Sequence, residues 1–429
     1  MTTLEQNERL TRCGPGTPMG LLFRRYWIPA LMPEELPEAD GPPLRVQLLG
    51  EKLIAFRSSD GTIALIDEFC AHRRVSLWFG RVEQGGIRCP YHGWKYDTAG
   101  RCVEIPSEPE GSQVCDQVKL KAYPCQERGG MVWAYMGPPE LEPPLPEYEW
   151  AMVADGHRYI SKRIQESNYL QAMEGGIDSS HVSWLHSGDL TKDKLHVGTE
   201  GARHIASKKP IFELHPSDAG LAIAAKRPVA DDEKAGKSYW RVTQWLMPWY
   251  TIIPPYGDHA IRGHAWVPID DHNCTTWNWA HHPARPLTAE EMDTMKNEEG
   301  AFAQLIPGTF RSVANKSNDY LIDRQGQKSG RYFSGVKGIA MQDASLQESM
   351  GAIVDRSLEF LVATDVAIMR TRRRLLDAAT AAENGTVPAG IDPASHHVRS
   401  ASFVADTAMP FADVQAQLQA IAGSGPTSI

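Results

Sequence analysis

The sequence predicts an α+β fold in two domains: a small antiparallel β domain first, then a larger domain in which an antiparallel sheet is joined by helices. Three features predict it. Short β-rich runs separated by Gly and Asp turns fill the first third, and a proline-rich break follows near residue 140. The remainder passes from a helical stretch through aromatic, strand-like runs to further helices.

In chain order, Pro43 to Gly50 and Leu53 to Phe56 read as strands, then the turn Ser59-Asp60-Gly61, then Thr62 to Ile66; Met131 to Gly137 closes the β domain. The segment PPELEPPLPEYEW cannot supply the backbone donors of a packed element and reads as a linker. Beyond it, Glu166 to Trp184 is helix-compatible, strands are expected over about 212–283 and helices over about 288–380. Phe411 to Ile421 is a short amphipathic stretch before the tail. The expected division is an N-terminal segment 1–26, a β domain 27–140, a mixed domain 141–400, and a C-terminal helix and tail 401–429.

A chain of 429 residues exceeds one ordinary hydrophobic core. Its 42% hydrophobic and 23% charged residues are ordinary for globular proteins, which argues against disorder or a membrane bundle. A net charge of -9 offers no basic footprint, so nucleic acid is not an expected partner. The N-terminus lacks a signal-peptide core, and no run reaches the roughly 18 apolar residues of a membrane span. A cytoplasmic protein with no membrane partner is expected. Seven scattered cysteines do not suggest a disulfide framework.

Two of those cysteines belong to a pattern. Cys70-Ala71-His72 and, sixteen residues further on, Cys89-Pro90-Tyr91-His92 supply one thiol and one imidazole per loop. Cys2His2 is also a tetrahedral zinc set, but zinc fingers usually place both cysteines before both histidines. One Cys and one His per loop suits a Rieske two-iron, two-sulfide (2Fe-2S) centre, in which two thiolates hold one iron and two imidazoles the other. Neutral imidazoles raise the cluster's potential above that of an all-cysteine cluster and leave a ring nitrogen free to hydrogen-bond.

A second constellation lies in the larger domain, where Asp178, His181 and His186 fall within nine residues. Histidines five apart subtend about 140° on an ideal helix, so their rings converge only if the helix ends or distorts between them. Taken alone, the segment reads sooner as two unrelated histidines near a helix terminus. A facial triad for non-haem Fe(II) requires a carboxylate as well. On a helix expected over Ala352–Ala379, Asp365 shares a face with Val354, Leu358, Leu361, Val362, Ile368 and Met369. An internal salt bridge to the Arg370–Arg374 run is the alternative for Asp365. Arg356 and that run are expected to make surface ion pairs with Asp355, Glu359 and Asp377.

The order of these features resembles the Rieske non-haem iron aromatic-ring oxygenases, specifically their α (oxygenase) subunits and the phthalate-dioxygenase-like branch that includes aryl O-demethylases. The resemblance runs from GPGTPMG and RRYWIPAL through CPYHGWKYD, EGGIDSSHVSWLH, NDYLIDR and MQDASLQESMGAIVDRS to LVATD. It implies a Rieske domain on Cys70, His72, Cys89 and His92, then a helix-grip (START-like) catalytic domain with mononuclear Fe(II) on His181, His186 and Asp365. It further implies a homotrimer or stacked trimers in which Asp178 links His92 of one subunit to His181 of the next. Electrons are expected from NAD(P)H through a separate reductase with flavin and a ferredoxin-type 2Fe-2S centre.

Six of twelve tryptophans lie between residues 240 and 279, more in keeping with core than with pocket wall but compatible with an aromatic substrate. Arg227, Arg241 and Arg262 share the region, and a guanidinium fork binds a carboxylate bidentately. Which of the three faces inward is open at this stage, and each taken singly suits the surface. The expected reaction is cis-dihydroxylation of an aromatic carboxylate with dioxygen, the alternative O-demethylation of a methoxylated, lignin-type aromatic acid. A non-enzymatic electron carrier or zinc-binding module is the reading from another class.

Overall fold

The computed structural model describes residues 2–190, 192–193, 195–199, 201–202, 207–229, 236–297 and 302–423. They fall into two units, 13–145 and 1–12 with 146–429.

In the first unit the strands are β1 (Trp27–Leu31), β2 (Leu44–Leu48), β3 (Glu51–Arg57), β4 (Ile63–Asp67), β5 (Arg81–Glu83), β6 (Gly86–Arg88), β7 (Lys95–Asp97), β8 (Cys102–Glu104), β9 (Ala122–Tyr123), β10 (Cys125–Arg128) and β11 (Met131–Tyr135). They form three sheets, in orders β1-β11-β10, β2-β3-β4-β9 and β5-β6-β7-β8. Ile54, Phe56, Ile66, Leu77, Ile87 and Tyr96 fill a core that also takes in Cys70 and Cys89. The two thiols are therefore seated in apolar surroundings.

The second unit is built on the antiparallel strands β12 (Arg158–Gln165), β13 (Ile211–Pro216), β14 (Gly220–Pro228), β15 (Lys237–Leu246), β16 (Tyr250–Ile253), β17 (Ile261–Pro268), β18 (Cys274–His281) and β19 (Ala401–Asp406). Their order is β12-β18-β17-β16-β15-β14-β13, with β19 paired to the first half of β15. Residues 401–406 thus belong to the sheet, and the Phe411–Gly423 helix lays Phe411, Val414 and Leu418 on Ala222, Ala224 and Trp240. Trp240, Trp245, Trp249, Trp277 and Trp279 are wholly buried, the core role that the tryptophan-rich stretch suggested.

The helix Tyr169–Ile177 positions the site. The Asn168 side chain caps it by accepting from the Leu170 amide at 3.1 Å, and the helix ends at Asp178. A Cβ on Gly176 would fall 2.2 Å from the Trp266 ring of β17, and one on Gly175 2.2 Å from the Gln347 side chain. This pair of glycines lets the helix sit between the sheet and the helix Ile339–Ser349.

The helix expected over Ala352–Ala379 is not continuous. Gly351, at φ 92°, ends the preceding helix; 3-10 turns follow at Arg356–Leu358 and Ala363–Asp365, and the long helix spans only Val366–Glu383. Leu358 and Phe360 are 83% and 89% exposed, so the apparent apolar stripe is no buried face. Arg356 and Arg372, expected at the surface, are buried and share Glu174: Arg356 Nη2 lies 3.1 Å and Arg372 Nε 2.6 Å from its carboxylate. Arg356 also donates to Asn7 Oδ1 at 3.0 Å, which ties the helix Leu4–Thr11 into this unit. The flanking charges hold Glu174 ionised although burial opposes it. Replacing Glu174 with Gln should leave two buried guanidiniums short of their shared counter-ion and cost about 3–5 kcal/mol, measured by denaturant unfolding of the second unit's transition. Among the described residues no helix is long and apolar enough to cross a membrane.

Candidate active site

The two Cys/His loops are closed in the same way. In the first, the Cys70 amide donates to Val75 O at 2.9 Å and the Arg74 amide to Cys70 O at 3.0 Å; in the second, Cys89 donates to Trp94 O at 2.8 Å and Gly93 to Cys89 O at 3.0 Å. Arg74 and Gly93, both at positive φ, make the matching turns. Each loop points its thiol inward and its imidazole outward: Cys70 and Cys89 are buried, His72 and His92 exposed. Tyr96 Oη lies 3.2 Å from Cys70 Sγ and accepts from the Ala71 amide at 3.1 Å, which anchors the first loop from the core side. The His72 and His92 rings are 4.5 Å apart, and His72 stacks on Trp94.

Four ligands around one zinc ion would all lie within a few ångströms of one another. Among the described residues, the set of three or more His, Cys, Asp or Glu whose ligand atoms all lie within 4.8 Å is His181, His186 and Asp343; the four loop residues form no such set. An inner thiol pair and an outer imidazole pair fit a two-iron cluster, with Cys70 and Cys89 to hold one iron and His72 and His92 the other.

The second centre forms where the Tyr169–Ile177 helix ends. After Asp178, a 3-10 turn at His181–Ser183 breaks the helical spacing and brings the two imidazoles together, with Nε2 of His181 3.1 Å from Nε2 of His186. Asp343 Oδ1 completes the group, 3.5 Å from His181 Nε2 and 3.3 Å from His186 Nε2. Burial works against ionisation of Asp343, yet His186, His181 and His264 hold its carboxyl down at about 2. Two imidazoles and one carboxylate on one side of a point are the 2-His-1-carboxylate set of non-haem Fe(II).

The carboxylate is therefore Asp343, and the expectation for Asp365 is corrected. Asp365 ends a 3-10 turn, where its Oδ2 accepts from the Val362 amide at 2.7 Å and so closes the start of that turn, just before the Val366–Glu383 helix. Only a helix continuous through Leu358 to Val362 would put this half-buried residue on an apolar face. Asp343 sits instead in the shorter Ile339–Ser349 helix, beside the buried Met341, Gln342 and Ala344.

Each ligand histidine is held through its other nitrogen. His181 Nδ1 donates to Asp178 Oδ2 at 3.3 Å, and His186 Nδ1 donates to Gln342 Oε1 at 2.8 Å. Both contacts leave the Nε2 lone pairs facing the metal position. Gln342 is fixed in turn by donating to Asp189 Oδ2 and to Val336 O at 3.0 Å. Gln342→Leu should weaken iron retention about 10–100-fold, checked by chelator competition, with unchanged absorbance from the Rieske unit.

A cavity opens beside Asp178, His181, His186 and Asp343, with Ile253, Tyr256 and Trp266 giving it apolar wall. Arg241 and Arg262 line it. Arg227 is not among the lining residues; fully buried, it donates to Ser179 O at 2.7 Å and Ser207 O at 3.2 Å and so holds the loop that carries His181. The reading of the sequence missed Arg163, which also lines the cavity. On β12 it shares a face with Ser161 and Gln165, and Gln165 is completely buried. His264, another lining residue, is pushed down to about 4 by burial and stays neutral.

Comparison with known proteins agrees with this geometry. Residues 26–124 match the Rieske [2Fe-2S] domain family and residues 134–417 the family described as LigXa C-terminal domain like. A 3-chlorobenzoate-3,4-dioxygenase oxygenase subunit from Comamonas testosteroni is 40% identical over 412 residues, covering 92% of this chain and 93% of the relative. A phthalate 4,5-dioxygenase oxygenase subunit from Pseudomonas putida is 37% identical, with 94% and 92% covered. A 5,5'-dehydrodivanillate O-demethylase oxygenase subunit from Sphingobium sp. (strain NBRC 103272 / SYK-6) is 35% identical over 65% of this chain and 63% of its own. Among solved structures, dicamba monooxygenase bound to dicamba superposes with a TM-score of 0.58 at 19% identity, over 84% of this chain and 98% of that one, a likeness of fold. The terminal oxygenase of carbazole 1,9a-dioxygenase from Nocardioides aromaticivorans IC177 gives 0.57 at 20% identity, over 90% and 98%. With a Cys/His pair on each of two matched loops and a two-histidine, one-aspartate centre in the second unit, the chain belongs to the Rieske non-haem iron oxygenases, as a relative of the phthalate and chlorobenzoate dioxygenases and the aryl O-demethylases.

Proposed function

We propose that this oxygenase acts on an aromatic carboxylate, hydroxylating the ring to a cis-diol with dioxygen and electrons from a separate flavin- and ferredoxin-type reductase. The observation that carries the reading is the pairing of aromatic wall with cations: Tyr256 and Trp266 line the cavity together with Arg163, Arg241 and Arg262. When bound, the cluster supplies single electrons and ferrous iron with open positions activates dioxygen. The protein's own part is to seat the ring against Trp266, hold its carboxylate on a guanidinium, and keep the Nε2 atoms of His181 and His186 free of protons.

Dihydroxylation is favoured over O-demethylation because the two relatives matched over more than nine-tenths of their length carry dioxygenase names, whereas the O-demethylase match covers 63% of its relative. Oxygen uptake with a surrogate reductase and a panel of benzoates should be substrate-dependent, with cis-diol product. Formaldehyde released stoichiometrically from methoxybenzoates, without diol from the unsubstituted acids, would replace this reading by the O-demethylase. We further read the sheet with its long helix as a helix-grip domain, the location as cytoplasmic, and the assembly as a homotrimer or stacked trimers in which Asp178 links His181 to His92 of a neighbouring copy. The hydrogen bond from His181 to Asp178 and the exposure of His92 support that link.

A further inference from the structure

Five of the seven cysteines lie outside the cluster loops, and two of those five come together in the Rieske unit. β8 carries the buried Cys102, and the 3-10 turn Cys115–Gln117 carries the half-buried Cys115. The backbone fixes their approach. The Leu120 amide donates to Gly100 O at 2.8 Å and the Cys102 amide to Val118 O at 3.0 Å, so residues 100–102 pair with 118–120. The Val118 amide donates in turn to Cys115 O at 3.1 Å, which folds Cys115 back toward β8. Cys115 thus packs on the core that contains Cys102, and beyond burial itself its thiol is the strongest influence on the Cys102 thiol. The other three are placed differently: Cys274 is in the second unit, Cys125 Sγ donates to Tyr123 O at 3.7 Å, and Cys13 is wholly buried.

A buried thiol beside one that reaches solvent is the arrangement of an oxidisable pair. The residues between them, 103–114, make an excursion in which only Ile105 is buried. Short turns of its own close it, with the Glu108 amide on Ile105 O at 3.0 Å and the Ser112 amide on Pro109 O at 3.1 Å. This excursion covers the second cluster loop: a Cβ on Gly93 would fall 2.9 Å from the Pro106 ring. Cys102 is also the register partner of Tyr96, whose hydroxyl lies 3.2 Å from Cys70 Sγ. A covalent bond across the base of the excursion would therefore pin the cover of one cluster loop and brace the strand behind the other.

We propose that Cys102 and Cys115 are a dithiol that hydrogen peroxide oxidises reversibly to a disulfide, and that the bridge helps the Rieske unit keep its cluster under oxidation. Peroxide is the two-electron reduction product of dioxygen, which this enzyme consumes. The accessible Cys115 sulfur attacks one peroxide oxygen; the O–O bond breaks, leaving Cys115 sulfenic acid and, with the thiol proton, one water. The Cys102 sulfur then displaces the sulfenic hydroxyl, which leaves with the Cys102 proton as a second water as the S–S bond forms. The two thiols together lose two electrons, and peroxide gains them. Burial pushes the Cys102 thiol up to about 12, which suits it to react second. An external dithiol reverses the change by exchange. The inference is independent of the substrate that the second unit takes.

The test uses the whole, metal-loaded protein, treated with a few equivalents of hydrogen peroxide, quenched with catalase, alkylated with iodoacetamide after denaturation, and digested with trypsin. Trypsin cuts after Arg101 and after Lys119 with no site between, so both cysteines fall in one peptide. In protein whose cluster absorbance is unchanged, that peptide should appear without label and lighter by two hydrogens than its dithiol form, and should accept two labels after dithiothreitol. Cys115→Ser should leave Cys102 reduced, and Cys102→Ser should give a Cys115 sulfenic acid that dimedone traps. In peroxide, Cys115→Ser should lose its cluster absorbance at least twofold faster than wild type, with equal rates when peroxide is omitted. A wild-type peptide that stays reduced at exposures that bleach the cluster overturns the proposal, and this measurement needs no variant to fold. A bridge found only in protein already bleached overturns it too, because the pair then reacts only after the unit has opened. Equal bleaching of Cys115→Ser and wild type in peroxide overturns the protective role.

Discussion

Asp343→Ala is expected to lower the iron content from about three to about two atoms per chain, leave the visible spectrum of the cluster intact, and reduce turnover at least 100-fold. The magnitude follows from rank. Outer partners of metal ligands are worth about 10–100-fold in metal affinity or activity, and Asp343 is itself one of three donors, 3.3 and 3.5 Å from the two histidine nitrogens. It also supplies the negative charge of the set, so Asp343→Asn should fail nearly as badly despite equal volume. The companion variant Asp365→Ala removes the one side-chain contact that closes a 3-10 turn, worth about 1 kcal/mol, and should keep its full iron complement. Iron analysis of the two proteins side by side decides between the aspartates; iron lost from Asp365→Ala and retained in Asp343→Ala would reverse the assignment.

Asp178→Asn should retain both metal centres yet lose at least about 100-fold in steady-state turnover. Asp178 accepts the His181 Nδ1 proton with one oxygen and the Ser180 amide, at 2.7 Å, with the other. Burial opposes its charge, but His181 and the backbone donors hold the carboxyl below its ordinary range, so the working form is the anion. An asparagine can still accept one proton, which keeps the loop in place, but it carries no charge to set the imidazole's proton or to attract a second imidazole from a neighbouring copy. Rapid-mixing measurement of cluster reoxidation in the presence of substrate separates the possibilities. Reoxidation slowed in proportion to turnover supports the link; normal turnover sinks it, and normal reoxidation with slow turnover moves the role of Asp178 to the chemical step.

Much of the architecture was legible because it is written in local patterns. The Cys/His spacing defined both cluster loops, and Asp178, His181 and His186, which lie on contiguous chain, read as a second centre once the family resemblance stood beside them. The third ligand was not legible by the same means. Asp343 comes from a helix that buries polar side chains on more than one side, including Gln342, Ser345, Gln347 and Glu348. A search for a carboxylate on an apolar stripe passes over such a helix. The same search was drawn to Asp365 by hydrophobic residues that stand in solvent after Gly351 breaks the helix. Arg163 was missed for a related reason, because a lysine and an arginine side by side on a strand look like a solvated edge, whereas both are buried.

The placement of the first twelve residues with segment 146–429 has a consequence for biogenesis. The Asn7 side chain donates to Val354 O, a partner 347 positions away, and Tyr169 donates from its hydroxyl to Leu10 O. On the ribosome, residues 13–145 emerge complete and can collapse around their own core while the opening helix still lacks everything it binds. It must stay unsatisfied through the synthesis of more than half the polypeptide, then dock late onto the helix that leads into Asp178. Completion of the catalytic unit thereby follows that of the Rieske unit.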